Sequence, residues 1–259
     1  MKFISFKQLS LPGIFSLLLT CFTLSILFVS AVEATDYAQE IMEKADSFYG
    51  EEMKFTFRIE DYEDGEQVRY YLFEGYTRGV DKYLLVANEP AVMRGVVHMR
   101  IGDTIYNYLR RIDRMHQRSA KENFQNSVFS QEDVLNVQLA NFYFVKGYEE
   151  LAEEGQTLYV LDLEARSQEV AYNRIKSYID TETFYPVRRE YFSFAGDLIK
   201  ELVVEDIRVE DGMLALYEFT MYDTLRKGYY SRVTMKDFNY EKDIPDTYFT
   251  RSFMKMIAR

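Results

Sequence analysis

The chain has 259 residues with 31 basic and 42 acidic side chains, which gives a formal net charge of −11 at pH 7. Nucleic acid and anionic lipid headgroups are disfavoured as partners, because such an acidic surface repels their phosphates. Tyrosine accounts for 22 residues and phenylalanine for 20, so large rings provide much of the apolar surface. Rings of this size need not pack as tightly as small aliphatic side chains, which is compatible with a cavity.

Residues 1–34 have the composition of an export leader. Lys2 and Lys7 precede an apolar run from Leu11 to Val32, and small residues at its end suit a signal peptidase. Cleavage would leave residues 35–259 as an exported chain, which we expect to be periplasmic. An apolar run of this length could also remain as an uncleaved membrane anchor, and this alternative stays open.

The mature chain is predicted to be a single domain stabilised by its core. Cys21 is the only cysteine and lies in the leader, so the mature chain can form no disulfide and no thiolate metal site. No linker rich in proline, glycine and serine divides residues 35–259, and a chain of this length can bury a sizeable core. We expect neither a metal nor a cofactor.

An amphipathic helix is predicted at the start of the mature chain. Asp36 followed by Gln39 is a helix-start signal, and Gly50 ends the run. One stripe of this helix is apolar and should cover another apolar surface as a lid. Its residues are Tyr37, Ile41, Ala45 and Phe48.

Strand patterns and turn signals then alternate along the chain. Phe55, Phe57 and Ile59 alternate with polar residues, which indicates a strand with one apolar and one wet face. Short spacings predict antiparallel hairpins, because a parallel crossover needs a dozen or more residues. The segments lie near 52–62, 67–78, 80–87, 94–101, 104–110 and 112–118.

The apolar period becomes helical between Ser119 and Val145. Ser130 and Asp133 have the spacing of a helix cap. One or two helices are therefore predicted to interrupt the sheet and to form a second lid. Its candidate residues are Leu135, Leu139 and Phe142.

Strands are predicted to resume after this interruption and to complete a mainly β fold. They lie near 157–164, 169–180, 184–194, 197–210, 213–223 and 228–238. Eleven or twelve antiparallel strands suffice for a strongly curved, open (incomplete) β-barrel. Its apolar face would either line a cavity or fill a solid core. The candidate cavity residues are Phe55, Phe57, Ile59, Met99, Tyr106, Tyr108, Met115, Met213, Tyr217, Phe219 and Met221.

The sequence contains no converging catalytic constellation. His98 and His116 lie in predicted strands among arginine and methionine residues, with no adjacent nucleophile. We therefore expect that the protein is not an enzyme. One basic cluster stands out in this acidic chain and forms either a cross-strand charge ladder or a docking surface for an acidic partner. Its residues are Arg110, Arg111, Arg114 and Arg118.

Two segments carry a resemblance to a known family. Residues Glu89–Met115 read EPAVMRGVVHMRIGDTIYNYLRRIDRM, and residues Phe129–Leu135 read FSQEDVL. Both resemble segments of bacterial outer membrane lipoprotein-sorting, LolA-like proteins, and the leader, first helix and strand order extend the resemblance over the mature chain. The resemblance implies an open β-barrel of about eleven strands with helical lids. It also implies an apolar cavity that receives acyl chains.

The leading functional hypothesis is a non-enzymatic periplasmic carrier that binds acyl chains of lipoproteins or other lipids and sorts them toward the outer membrane. Its expected partners are these lipids, an inner-membrane transporter and an outer-membrane acceptor, with no nucleic acid. A lipid-binding accessory subunit of a membrane transporter is one alternative. A structural envelope protein with a filled core is another.

Overall fold

The computed structural model describes residues 36–47, 52–135, 138–153, 155–210, 213–240 and 243–259. The predicted leader and Gly50, the predicted end of the first helix, lie outside these residues. Among the described residues, no helix is both long and apolar enough to span a bilayer.

A run of antiparallel hairpins forms the first half of the fold. Asp64 and Gly65 both have positive φ in the β1–β2 turn, at 52° and 86°, as a tight hairpin requires. The strands are β1 (Met53–Glu63), β2 (Glu66–Arg78), β3 (Lys82–Glu89), β4 (Val96–Ile101), β5 (Thr104–Leu109) and β6 (Arg114–Arg118).

A second run of hairpins forms the other half, and pairing of β1 with β13 joins the two. The described strands form one sheet of 13 strands in the order β6-β5-β4-β3-β2-β1-β13-β12-β11-β10-β9-β8-β7, which leaves β6 and β7 as edges. The later strands are β7 (Tyr143–Glu153), β8 (Gln156–Ala165), β9 (Arg174–Asp180), β10 (Pro186–Phe192), β11 (Leu198–Glu210), β12 (Met213–Asp223) and β13 (Tyr229–Asn239).

The predicted fold class is confirmed, because the sheet is antiparallel, curved and open. The predicted strand number was low by one or two. The missed strand is β7, which has a single described neighbour, β8, and is mostly exposed. An edge strand that is wet on both faces lacks the alternation that marks a half-buried strand.

The helices are few and short. Helix α1 includes residues 36–47, and the described residues between β6 and β7 contain two four-residue helices. The prediction of one or two helices between Ser119 and Val145 is confirmed, and each of the two is only four residues long. The remaining helices are α2 (Gln131–Val134), α3 (Leu139–Phe142) and α4 (Arg251–Ile257), with 3₁₀ turns at Arg110–Ile112 and Asp246–Phe249.

Each face of the sheet carries its own hydrophobic cluster. We call the face that carries Phe57 and Phe73 the inner face; it packs against α1, α2 and α3 in the main core. The opposite, outer face of β2–β5 packs against the C-terminal segment through Met254. Leu84 and Leu85 are both fully buried because one belongs to each cluster.

A glycine on β2 makes room for an aromatic ring of the main core. Gly75 lies opposite Phe55 in the β1–β2 register. A Cβ atom built on Gly75 would lie 2.3 Å from two ring carbons of Phe55. The ring therefore lies across the glycine, as aromatic side chains do when they cover a strand glycine.

Replacing Gly75 by alanine is predicted to lower the free energy of unfolding by about 1–3 kcal/mol, because the added methyl overpacks the site. Gly147→Ala on β7 is the matched control, since nothing lies within 4 Å of a Cβ atom there. The control should be neutral or slightly stabilising. Urea denaturation of both variants measures the difference, and equal stabilities would refute this packing account.

Candidate functional site

A small cavity lies on the inner face, beside β1, β11, β12 and β13. Its volume is about 80 Å³. Such a volume holds a few water molecules, so a long acyl chain can enter only if surrounding elements move. Its apolar wall includes Phe57, Val134, Leu202, Val204, Phe219, Met235 and Phe238.

Polar side chains border the same cavity on the α2 side. Asp133, Arg189 and Tyr191 are part of its wall. Arg189 lies opposite Leu202 in the β10–β11 register, and both border the cavity. A ligand there would meet an apolar surface with charged and hydroxyl groups at one side.

The predicted cap at Ser130 is confirmed. The Ser130 hydroxyl accepts a hydrogen bond from the Asp133 backbone N–H at 3.2 Å, and Asp133 Oδ2 accepts one from the Ser130 N–H at 2.7 Å. Tyr172 also donates its hydroxyl hydrogen to Asp133 Oδ2 at 2.6 Å. The capping box thus both starts α2 and anchors it to the segment that precedes β9.

The neighbouring carboxyl, Glu132, is buried, with 4% of the residue exposed. It accepts hydrogen bonds from the Tyr143 hydroxyl at 2.8 Å and from the Ala171 backbone N–H at 2.9 Å. Burial, with a smaller contribution from the charge of Asp133, raises its pKa from 4.5 to about 7. Glu132 therefore holds α2 against β7 while carrying a charge that the interior disfavours.

Helix α1 lies over the inner face and contacts α3. Asp46 accepts a hydrogen bond from the Ala140 backbone N–H at 2.9 Å. The residue before α3, Gln138, makes no side-chain cap bond, so Asp46 supplies that cap from another helix. Burial raises the pKa of Asp46 from 3.8 to about 6. The two helical elements are thus joined by one buried carboxyl.

The predicted lid residues lie in this region, apart from Phe48, which lies outside the described residues. Ile41 and Ala45 are buried in the main core. Tyr37 lies at the exposed edge of the main core, where its hydroxyl group and the Tyr159 hydroxyl group share a hydrogen bond of 2.8 Å. The buried stripe of α1 also includes Ala38 and Met42, which the same helical spacing would have found. Leu135 and Leu139 are buried in the main core, and Phe142 packs against it partly exposed.

Six of the cavity candidates lie on or beside the inner core. Phe57 and Phe219 border the cavity. Phe55, Ile59 and Met221 are buried in the packing around it. Tyr217 packs against Phe238, with ring centroids 5.2 Å apart. Their role in lipid binding stays a prediction.

The other five candidates are not brought to the cavity. Met213 is half-buried at the start of β12. Met99, Tyr106, Tyr108 and Met115 belong to the outer cluster beneath the C-terminal segment. Both faces of β4 and β5 carry buried apolar residues. The apolar pattern of these strands therefore did not show which of their residues belong to the inner face.

Sequence reasoning also missed several residues of the cavity wall. Leu202 and Val204 alternate on β11, and Met235 lies on the same face of β13 as Val233. Their period of two was a usable signal for the apolar wall. No such periodic signal marked Asp133 and Arg189, because their positions beside the cavity depend on how α2 packs over the sheet.

The effect of Glu132 on stability should depend on pH. Below about pH 4.5 the carboxyl is protonated in both states, whereas between 4.5 and about 7 the folded protein binds more protons than the unfolded chain. The contribution of Glu132 to the free energy of unfolding therefore falls as pH rises through this window, by about 3 kcal/mol in total.

Glu132→Gln is predicted to copy the neutral carboxyl, because its amide can donate to the Tyr143 hydroxyl and accept from Ala171. The variant should match the wild type near about pH 4.5 and be more stable above about pH 7. Urea denaturation across this range measures the difference. Glu169→Gln at an exposed position is the control, and a difference from wild type that does not change with pH would refute this account.

Comparisons with known proteins agree with this architecture. A family model described as "-like: Uncharacterized protein" matches residues 79–256. A LolA superfamily protein of Nitrosomonas europaea has a TM-score of 0.73 at 21% identity, over 83% of this chain and 98% of that chain. No curated protein matches the sequence.

Two further solved structures are similar over nearly their whole length. A domain described as an outer membrane lipoprotein-sorting protein from Vibrio parahaemolyticus has a TM-score of 0.74 at 17% identity, over 87% of this chain and 99% of that chain. A DUF1329 family protein of Desulfovibrio piger has a TM-score of 0.72 at 18% identity, over 85% of this chain and 99% of that chain. The chain therefore belongs to the family that the matching model describes, and its fold is that of LolA-like, lipoprotein-sorting proteins.

Proposed function

We propose that this protein is a non-enzymatic periplasmic carrier that binds acyl chains of lipoproteins or other lipids on the inner face of its sheet. The observation that carries this proposal is the apolar cavity bordered by Phe57, Val204 and Phe219 and covered by short helical elements. The proposal includes removal of the leader, which would leave residues 35–259 as the exported domain.

The size of the cavity supports a carrier that opens to load. Burying an acyl chain gains about 0.8 kcal/mol per methylene, so complete burial of a long chain would make release very slow. If the helical covers must move before the inner face becomes accessible, an acyl chain can be bound there partially and then transferred to an acceptor. An inner-membrane transporter and an outer-membrane acceptor would provide the direction of transfer.

The movable covers would be α1 and the α2–α3 segment. Both are held to the sheet partly through buried carboxyl groups, Asp46 and Glu132, whose ionised forms the interior disfavours. Contacts of this kind hold a closed state without making it strongly favourable. A ligand with greater affinity for the open state could therefore displace the covers.

A structural envelope protein with a filled core is the second candidate. The observation that favours it is the close packing of Phe55, Phe57 and Ile59, each of which is at most 1% exposed. Direct measurement of lipid loading distinguishes the two functions, since a filled core has no room for an acyl chain. Solvent extraction and mass spectrometry of the purified protein would identify any lipid it carries.

Val204→Glu is predicted to weaken binding of a fluorescent fatty acid at least about tenfold, because a carboxylate in the cavity must be desolvated against the chain. Val203→Glu is the matched control. Val203 is the adjacent residue on the other face, opposite Arg188, and does not border the cavity. Fluorescence titration measures both variants, and thermal melts show whether they fold.

Equal binding by the two folded variants would refute acyl-chain binding in this cavity. No binding by the wild type, together with no extracted lipid, would favour the structural alternative. Co-purification of the protein with a membrane transporter would instead favour an accessory subunit that stays docked.

Asp46→Ala is predicted to speed fatty-acid association about fivefold or more, because it removes the hydrogen bond that joins α1 to α3. Glu40→Ala is the control on the same helix, since the contact of Glu40 within the described part of the chain is an exposed ion pair with Lys44. Stopped-flow fluorescence gives both rate constants. Identical rates for the two variants would mean that α1 is a fixed part of the core.

A further inference from the structure

A second depression lies on the inner face at the β6 edge of the sheet. Its volume is about 580 Å³. It is lined by β4, β5, β6 and the residues between Asn123 and Gln131. We call this depression the basic groove, because four arginines line it: Arg94, Arg110, Arg111 and Arg118.

The charge of the basic groove is opposite to that of the whole protein. None of the described residues that line it is acidic, although the chain carries a net charge of −11. Arg110 and Arg111 are exposed and form no ion pair with any described carboxylate. Arg118 is paired with Glu122, which leaves Arg118 Nε buried and without a hydrogen-bond partner. A cross-strand charge ladder does not explain this arrangement, because the ladder would need alternating acidic residues.

Strand register brings the polar floor of the groove together. His98 lies opposite Asn107, and Asn107 lies opposite His116, so one row of side chains crosses three strands. His98 is 1% exposed and Asn107 is 7% exposed. Burial, with a smaller contribution from Arg118, lowers the pKa of His98 to about 3. The imidazole at the floor is therefore neutral near pH 7.

A neutral imidazole also fixes how its amide neighbours are oriented. His98 Nε2 lies 2.8 Å from the Gln125 amide nitrogen, and His98 Nδ1 lies 3.1 Å from the Asn107 amide nitrogen. A neutral ring has one donor and one acceptor, so one amide must turn its oxygen toward the ring and its NH₂ group away. If Asn107 is the amide that turns, its oxygen accepts from the imidazole N–H. Its NH₂ group then occupies the position where its own amide oxygen had no partner.

Unpartnered buried groups are the second sign that the groove is built for a ligand. Gln131 is 2% exposed, and its amide oxygen has no hydrogen-bond partner among the described residues, as is true of the Asn107 amide oxygen. Buried amide oxygens without a hydrogen-bond partner are uncommon, because desolvating them costs free energy that a hydrogen bond normally offsets. Both amides line the groove, where the Asn107 NH₂ group, once turned away from the ring, could donate to a bound phosphate and the Gln131 oxygen could accept from a hydroxyl group of the esterified alcohol.

We propose that the basic groove binds a phosphate ester. Guanidinium groups and amide N–H groups are strong hydrogen-bond donors to phosphate oxygens, and no described carboxylate pairs with Arg110 or Arg111. The rim adds apolar residues, among them Val92 at 61% exposed and Ile112 at 56% exposed. A rim of this kind favours a phospholipid headgroup over free phosphate.

The test is calorimetric titration of the full mature chain with inorganic phosphate, glycerol phosphate, dihexanoyl phosphatidylglycerol and dihexanoyl phosphatidylcholine. Phosphatidylglycerol should bind most tightly. The double variant Arg110→Gln/Arg111→Gln should bind it at least about tenfold more weakly, since two charge-assisted contacts are lost. Arg226→Gln/Lys227→Gln in the β12–β13 hairpin is the charge-matched control and should bind as the wild type does.

Equal loss of binding in both double variants would overturn the proposal, because it would reflect net charge alone. Equal affinity for phosphatidylglycerol and phosphatidylcholine, with no binding of phosphate or glycerol phosphate, would also overturn it. Tighter binding of inorganic phosphate than of phosphatidylglycerol would retain the phosphate site and exclude the lipid source. Asn107→Asp places a charge at the floor and should weaken binding without removing either arginine.

This proposal does not depend on acyl-chain binding in the cavity. Val204→Glu is predicted to leave phosphatidylglycerol titration unchanged, because Val204 lies on β11 and does not line the groove. The two double variants should likewise load the fluorescent fatty acid as the wild type does. Either site can therefore fail its test without affecting the other.

Discussion

The pairing of β1 with β13 is the interaction on which the rest of the structure depends. It joins two runs of hairpins into one sheet, with Phe57 opposite Met235 and Ile59 opposite Val233. Without it the sheet would be split near the middle of its strand order. The same pairing brings Ser231 to Asp61, whose carboxylate accepts the serine hydroxyl hydrogen at 2.6 Å.

That central pair also holds the segment that covers the sheet. The Ser231 hydroxyl accepts a hydrogen bond from the Val128 backbone N–H at 2.9 Å. Arg69 bridges Asp61 and the Asn126 carbonyl, at 3.0 and 3.1 Å. Asp61 has no exposed surface, so its charge requires these partners. The pairing of β1 with β13 and the segment that covers the sheet therefore stabilise each other through one buried aspartate.

The sequence was sufficient to predict the architecture because sheet folds encode one face by alternation. Phe55, Phe57 and Ile59 showed that pattern, and the Ser130–Asp133 cap was readable from spacing. The residues of the candidate site were harder to predict from the sequence. Met99 and Tyr108 had the same apolar character as Phe57 but lie beneath the C-terminal segment. Assigning faces on β4 and β5 required knowing what packs on each side.

Long-range contacts account for most of the remaining differences. Asp46 caps α3 from a helix that precedes it by more than ninety residues, and no local pattern marks such a partner. The basic cluster was visible as Arg110, Arg111 and their neighbours, but the amides beneath it came together only through strand register. The spacing of residues in the sequence identifies those that can lie on the same face of the sheet. Which of them are buried without a hydrogen-bond partner depends on the tertiary packing.

One segment separates the cavity side of the inner face from the basic groove. Phe124 packs in the main core against Phe73, with ring centroids 5.6 Å apart, while the adjacent Gln125 lines the groove. His98 contacts Phe124 at 4.5 Å between ring centroids and is also part of the groove floor. Displacement of this segment would expose apolar core and disturb the groove together. An amphipathic ligand that favoured the displaced state would thus act on both surfaces through the same residues.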